Sequence, residues 1–228
     1  MELIIITIAV IAIIIVSSMM KINMKEMEKI ALNEELNDIA KKCPSNIEIC
    51  KSILEKLENS TTKVEEDITS NSTLYIALQD KISIGNTHDS FTRIQTMAHE
   101  CLHSIQDRRM LIFNFIFSNI YFIYFLIICF LLIIKKLPNE MMFSNILLIL
   151  SLIYYVIRIF LENDAMIKAE YTAKEYLENE KFTTDKESEK LIQGFKNINK
   201  GIIKGTNCSL FTKIMIKVVF FNVLALIF

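Results

Sequence analysis

MLIFNFIFSNIYFIYFLIICFLLII, residues Met110–Ile134, is apolar apart from Asn114, Ser118 and Asn119. A helix needs about 20 apolar residues to cross the hydrocarbon core of a bilayer, so this run predicts a membrane span. Three further runs share its character. Leu3–Val16 is almost purely aliphatic and reaches spanning length if Ser17–Met20 are included. Met141–Leu161 carries only Ser144, Asn145, Ser151 and Arg158 as interruptions. Leu210–Phe228 is apolar but contains Lys213 and Lys217, which makes it a marginal span. These runs explain a composition that is 52% hydrophobic with a mean hydropathy of +0.38, richer in apolar residues than soluble domains. The expected fold class is mainly α, a polytopic membrane protein with three to four transmembrane helices.

The first run has Glu2 where a signal peptide has a basic region, and no small-residue cleavage site follows it. It therefore predicts a retained anchor. Five regions result: an anchor at 1–20, a helical and strand region at 21–109, a transmembrane hairpin at 110–161, a helical region at 162–209, and a last hydrophobic segment at 210–228. Lys21, Lys25, Lys29, Arg108, Arg109, Lys168, Lys174, Lys204 and Lys213 flank the runs on one side, whereas the 135–140 loop holds only Lys135 and Lys136. The bias of basic residues toward the cytoplasm then predicts that 21–109 and 162–209 are cytoplasmic, with both termini outside. Lys217 is expected to snorkel toward the cytoplasmic interface. The five cysteines, Cys43, Cys50, Cys101, Cys129 and Cys208, are expected as free thiols there. The reverse orientation would allow a Cys43–Cys50 disulfide. A net charge of −1 with mixed signs argues for ordinary solvated surface and against nucleic-acid binding.

Just before the Met110 span lies His99-Glu100-Cys101-Leu102-His103. On a helix, positions four apart share a face, so both imidazoles can reach one cation, and Glu100 beside them can hold a water. That spacing is the two-histidine half of a zinc peptidase site, with Glu100 as candidate general base. Cys101 falls on the opposite side of the helix and is expected to stay out of the metal sphere. The surrounding segments read as follows. Residues 21–69 are expected to be helical, with Met24–Ile39 and Asn46–Leu57 separated by Pro44, and a loop at Asn59–Thr62. Thr73–Leu78 is the best strand, Ile82–Ile84 its partner, and Gly85-Asn86 a turn. His88 is expected in an exposed loop. Ser90 is expected to cap a helix over Phe91–Gln106 that can continue into the span, with Ile94, Ala98, Leu102 and Ile105 on its apolar side and His99, His103 and Gln106 on another.

A catalytic zinc needs a third protein ligand. The two runs after His103 form a hairpin, so the chain returns to the leaflet it left and delivers Glu162 and Asp164 near the histidines. An interfacial Glu162 paired with Arg158, and a Glu100 paired with Arg93 or Arg108, are the alternatives.

The stretch His99-Glu100-Cys101-Leu102-His103-Ser104-Ile105-Gln106, the hairpin, and Glu162-Asn163-Asp164-Ala165 together resemble the YugP-like family of neutral zinc metallopeptidases. More distantly they are similar to the HtpX-type membrane peptidases, whose third ligand is a Glu opening an E-x-x-A motif. The likeness covers most of the chain. It implies a small α+β zincin-like catalytic domain at the cytoplasmic face, with Zn2+ held by His99, His103 and Glu162. It also implies Asp164 as an outer group orienting a histidine. Leu102 stands where the family usually has Gly and is expected to point into the core. Zinc peptidases of this motif lay substrate along an edge strand, for which Thr73, Leu74, Tyr75, Ile76 and Ala77 are the candidates. Tyr171 and Tyr176 are candidate oxyanion donors, with an interfacial aromatic role as the favoured alternative. The expected activity is zinc-assisted peptide hydrolysis, with Glu100 moving the proton, on membrane proteins or peptides presented at the cytoplasmic side of the cell membrane. The rival expectation is a non-catalytic membrane scaffold or metal-binding protein that retains the fold.

Overall fold

In a computed structural model, residues 1–67, 69–86 and 90–228 are described. The chain is 75% helical with one three-stranded sheet. The helices are α1 Glu2–Met20, α2 Met24–Ala31, α3 Glu34–Ala40, α4 Asn46–Lys56, α5 Arg93–Ile105, α6 Arg108–Ile133, α7 Glu140–Glu180 and α8 Asp185–Ile227. The strands are β1 Lys63–Glu66, β2 Leu74–Ile76 and β3 Lys81–Ile84. The chain falls into two units. One comprises Met1–Ile22, Phe113–Phe160 and Lys204–Phe228; the other comprises Asn23–Ile112 and Leu161–Ile203.

The first unit is apolar. Tyr121, Ile128, Leu132, Leu147, Val218 and Phe221 pack as its largest cluster. Two polar pairs sit within it: Ser144 and Asn222 exchange hydrogen bonds of 3.1 and 2.8 Å, and Tyr121 Oη lies 2.9 Å from Ser151 Oγ. Large apolar side chains cover its outer surface, among them Ile4, Phe130, Ile149 and Val156. The helices α1, α6, α7 and α8 are long and apolar enough to cross a membrane. The marginal fourth run is therefore the end of a 43-residue helix rather than a separate segment. Lys217 lies within that apolar stretch. Its Nζ sits 4.4 Å from the Tyr121 ring centroid, because an aromatic face attracts a cation.

The second unit is built on one core, including Leu36, Ile49, Ile53, Ile82, Phe91, Ile94, Leu102, Ala165, Tyr176 and Phe195. Local signals explain most of its boundaries. Asn33 accepts from the Leu36 N–H and so starts a new helix; the expected Met24–Ile39 helix is split there into α2 and α3. Ser45 and Glu48 form a reciprocal capping box on α4, an arrangement that satisfies two orphan donors. Asn59–Thr62 is a loop that carries the chain to β1. This strand overturns the helical expectation for residues 63–66: it pairs parallel with β3, Lys63 to Lys81 through Glu66 to Ile84. Its sequence, Lys-Val-Glu-Glu, carries no strand signature, and the Lys81–Glu65 ion pair at 2.9 Å ties it across. β2 pairs antiparallel with β3, Leu74 to Ser83 and Ile76 to Lys81. The order β1-β3-β2 leaves β2 at an edge, where the strand over 73–78 was expected. His88 lies outside the described residues.

The helix that carries the motif starts later than expected. Ser90 and Thr92 form a turn in which Ser90 Oγ accepts from the Thr92 N–H at 3.3 Å and Ser90 O from the Arg93 N–H at 3.1 Å; Arg93 then opens α5, with Thr92 rather than Ser90 as its N-cap. Nor does α5 run on into α6. Gln106 is extended, and Asp107 restarts the chain by accepting from the Arg109 N–H at 2.8 Å, as an N-cap carboxylate does.

Candidate metal centre

The i, i+4 spacing on α5 brings His99 Nε2 and His103 Nε2 to 3.1 Å, with the rings nearly perpendicular at 82°. Helix α7 supplies Glu162, whose Oε2 lies 3.5 Å from His99 Nε2 and 3.8 Å from His103 Nε2. These three side chains form a group that can hold a metal ion. The fit follows from their spacing. The point equidistant from three atoms with these separations lies about 2.0 Å from each, the length of zinc–nitrogen and zinc–carboxylate bonds. Two imidazoles and one carboxylate are also the donor set of open, catalytic zinc sites. His103 and Glu162 are buried and His99 is partly so.

Glu100 lies beside this group with its two oxygens in different roles. Oε2 accepts from the Tyr75 N–H at 2.6 Å, and Oε1 lies 3.9 Å from His99 Nε2. Burial raises its carboxyl above the ordinary range; the two histidines and the Tyr75 N–H pull the other way without prevailing. A carboxyl so placed is within reach to take up and give back a proton. The contact also fixes β2: the Tyr75 N–H, at the open edge of the sheet, is turned to Glu100. Of the edge-strand candidates, Tyr75 therefore touches the site directly. Leu74 and Ile76 pair with β3, Thr73 Oγ1 accepts from the Gly85 N–H at 3.1 Å, and Ala77 opens the hairpin turn.

Asp164 stands one residue further out than a direct partner of a histidine. Its Oδ2 accepts from Gln106 Nε2 at 3.0 Å, and Gln106 Oε1 lies 2.8 Å from His103 Nδ1. Gln106 Nε2 also donates to Leu161 O at 2.9 Å. Because the amide nitrogen faces two acceptors, Oε1 must accept, so His103 Nδ1 carries the proton and Nε2 turns its lone pair toward His99 and Glu162. Sequence reasoning placed Gln106 on the histidine face but gave it no role. Its three-residue spacing from His103 was the available signal. Burial lowers the His103 proton affinity, but the Glu162 hydrogen bond and the charges of Glu100 and Glu162 outweigh it, so the ring holds its proton more tightly than an ordinary histidine. Asp164 resists protonation: burial opposes, and the hydrogen bonds from Lys168 and Gln106 prevail.

The other candidates sit elsewhere. The Arg93 guanidinium does not meet Glu100. It donates to the carbonyls of Ala40, Cys43 and Pro44 and to Asn46 Oδ1, each at 2.8 Å. Tyr176 is buried in the core beside Phe182, and Tyr171 is exposed; neither is among the groups around the three ligating atoms. Cys101 is buried and donates to Cys50 O at 3.7 Å, on the side of α5 away from the histidines, and all five cysteines are free. Two surface clefts of about 690 Å³ are lined by other residues, one by Leu54, Thr62 and Val64, the other by Glu170, Lys174 and Ile192. Comparison of the chain with family models, with curated proteins and with solved structures finds no match in any of the three.

Proposed function

We propose that this chain is a membrane-bound zinc metalloendopeptidase acting on membrane proteins or peptides at the cytoplasmic face. One observation carries the reading. A carboxylate from α7 closes on two histidines from α5 at metal-binding distances, with a second, buried carboxylate and an open sheet edge beside them.

His99, His103 and Glu162 would hold the ion, which supplies Lewis-acid polarisation of water and of the scissile carbonyl. The rest is done by the chain's own groups. Glu100 Oε2 is anchored by the Tyr75 N–H, which leaves Oε1 to take the proton of the attacking water and return it to the leaving amine nitrogen. Gln106 keeps His103 in the tautomer whose Nε2 is free to bind. An extended substrate segment would add to the sheet along β2; since the Tyr75 N–H is committed to Glu100, that pairing uses the other backbone groups of the strand.

The test is direct. The chain is purified in detergent and assayed for zinc per molecule and for cleavage of casein or a fluorogenic peptide. About one zinc per chain is expected, with cleavage that Glu100→Gln abolishes while keeping the metal. Zinc without cleavage by the native chain would instead identify a metal-binding membrane protein.

A further inference from the structure

Lys217 carries its ammonium among aromatic rings in the apolar unit. Nζ lies 4.4 Å from the Tyr121 ring centroid, 5.4 Å from Phe122 and 5.9 Å from Phe125. Phe125 in turn meets Phe220, at 6.0 Å between centroids. These side chains line a seam between α6 and α8 that opens outward: Phe122 is 47% exposed and Phe220 50%. Tyr121 lies about 16 Å from the Met110 end of its apolar run and about 20 Å from the Ile134 end, at 1.5 Å per residue. The ammonium thus sits near the middle of the run.

Four polar side chains in this unit pair with one another, Ser144 with Asn222 and Tyr121 with Ser151. Lys217 has no carboxylate among the described residues. The only acidic residues of the unit are Glu2 and Glu140, each in the first turn of its helix. An ionisable group at such a depth marks an interaction or transport site, because leaving it unpaired in hydrocarbon is costly.

We propose that the α6–α8 seam at Lys217 docks a transmembrane helix of a partner protein that carries an Asp or Glu at the middle of its own apolar run. The complementary charge neutralises the ammonium in hydrocarbon, and the aromatic faces give the helix an apolar bed. A second copy of this chain cannot fill the role, since its apolar runs contain no carboxylate. A lipid phosphate stays at the surface, roughly half the bilayer core away. The inference rests on the membrane reading above, but not on the peptidase reading.

The experiment uses the full chain in phosphatidylcholine vesicles. Carbonate-resistant flotation first reports insertion. Energy transfer then measures association with a synthetic Leu/Ala helix of about 23 residues bearing a central Asp, against the same helix with Leu. The Asp helix is expected to associate at least about tenfold more strongly. Lys217→Met should erase that difference, Lys217→Arg should keep it, and Lys213→Met should leave it unchanged. Equal association of the two helices with the native chain overturns the proposal without any variant. So does loss of the Asp preference when excess phosphatidylglycerol is added, which would assign the ammonium to a lipid headgroup. Failure to float overturns the membrane reading, and this proposal with it.

Discussion

Replacing Gln106 by leucine tests how His103 is held for the metal. The substitution nearly conserves volume, so the cavity cost is small, while three contacts vanish together: Oε1 to His103 Nδ1 at 2.8 Å, and Nε2 to Leu161 O at 2.9 Å and Asp164 Oδ2 at 3.0 Å. The first matters most, because it selects the tautomer and aims the ring. Removing an outer partner of a metal-bound histidine weakens metal binding about 10- to 100-fold, or roughly 1.4–2.7 kcal/mol. Asp164→Asn should do less, under about tenfold, since Leu161 O still holds the amide and the Asp164 side chain is 32% exposed and paired with Lys168 at 2.6 Å. Zinc affinity is read by competition with a chromophoric chelator in detergent at neutral pH, with thermal unfolding of the metal-free forms as a check on folding. A Gln106→Leu chain that binds zinc within about twofold of the native one would show that the Gln106 contact does not set the ligand.

The site should respond to pH with opposite signs in its two states. Metal-free His103 holds its proton above the ordinary value: burial opposes this, and Glu162 and Glu100 prevail. Its contribution to stability is therefore complete below about pH 6.5 and lost as pH rises through the raised value. Zinc needs the neutral ring, so zinc-dependent stabilisation should fall as pH drops, beginning above about 6.5; thermal unfolding with and without zinc should give opposing slopes, and parallel slopes would contradict the assignment. Gly85→Ala should cost about 1–3 kcal/mol, because its Cβ would meet the Ser72 carbonyl oxygen at 2.6 Å and carbon at 2.7 Å, backbone atoms that lead into β2; thermal unfolding reads the loss, and peptide cleavage should decline with it. A cysteine placed in the 135–138 turn should react with an impermeant maleimide in whole cells, and one in the 181–184 turn only after lysis; the reverse pattern would invert the proposed sidedness.

Local chemistry was legible where it repeats along the chain. The His99–His103 interval is one helical turn, the apolar runs are long and uniform, and Thr73–Leu78 is rich in strand-forming residues, so α5, the long helices and the hairpin of β2 with β3 could be read in advance. Glu162 could be paired with the histidines because two long apolar runs return the chain to where it started. The failures are places where distant contacts decide. β1 is Lys63-Val64-Glu65-Glu66, a solvated helical composition, and becomes a strand only because β3 offers a parallel edge. Asn33 and Asp107 interrupt helices whose apolar spacing runs on past them, since a cap is a choice between two local hydrogen bonds. The Tyr75–Glu100 contact uses a backbone N–H, which no side-chain pattern encodes. The partners of Gln106 come from α7, after the whole hairpin.

The order in which the three side chains leave the ribosome decides when the group that can hold a metal is complete. His99 and His103 emerge together, but the third donor is synthesised only after both long apolar segments that separate it from them. A nascent or truncated chain ending before Glu162 carries only two of the three side chains that can hold the ion. The capacity to hold the ion therefore arrives late, once those segments have been translated, and a product aborted earlier lacks the carboxylate that closes the group.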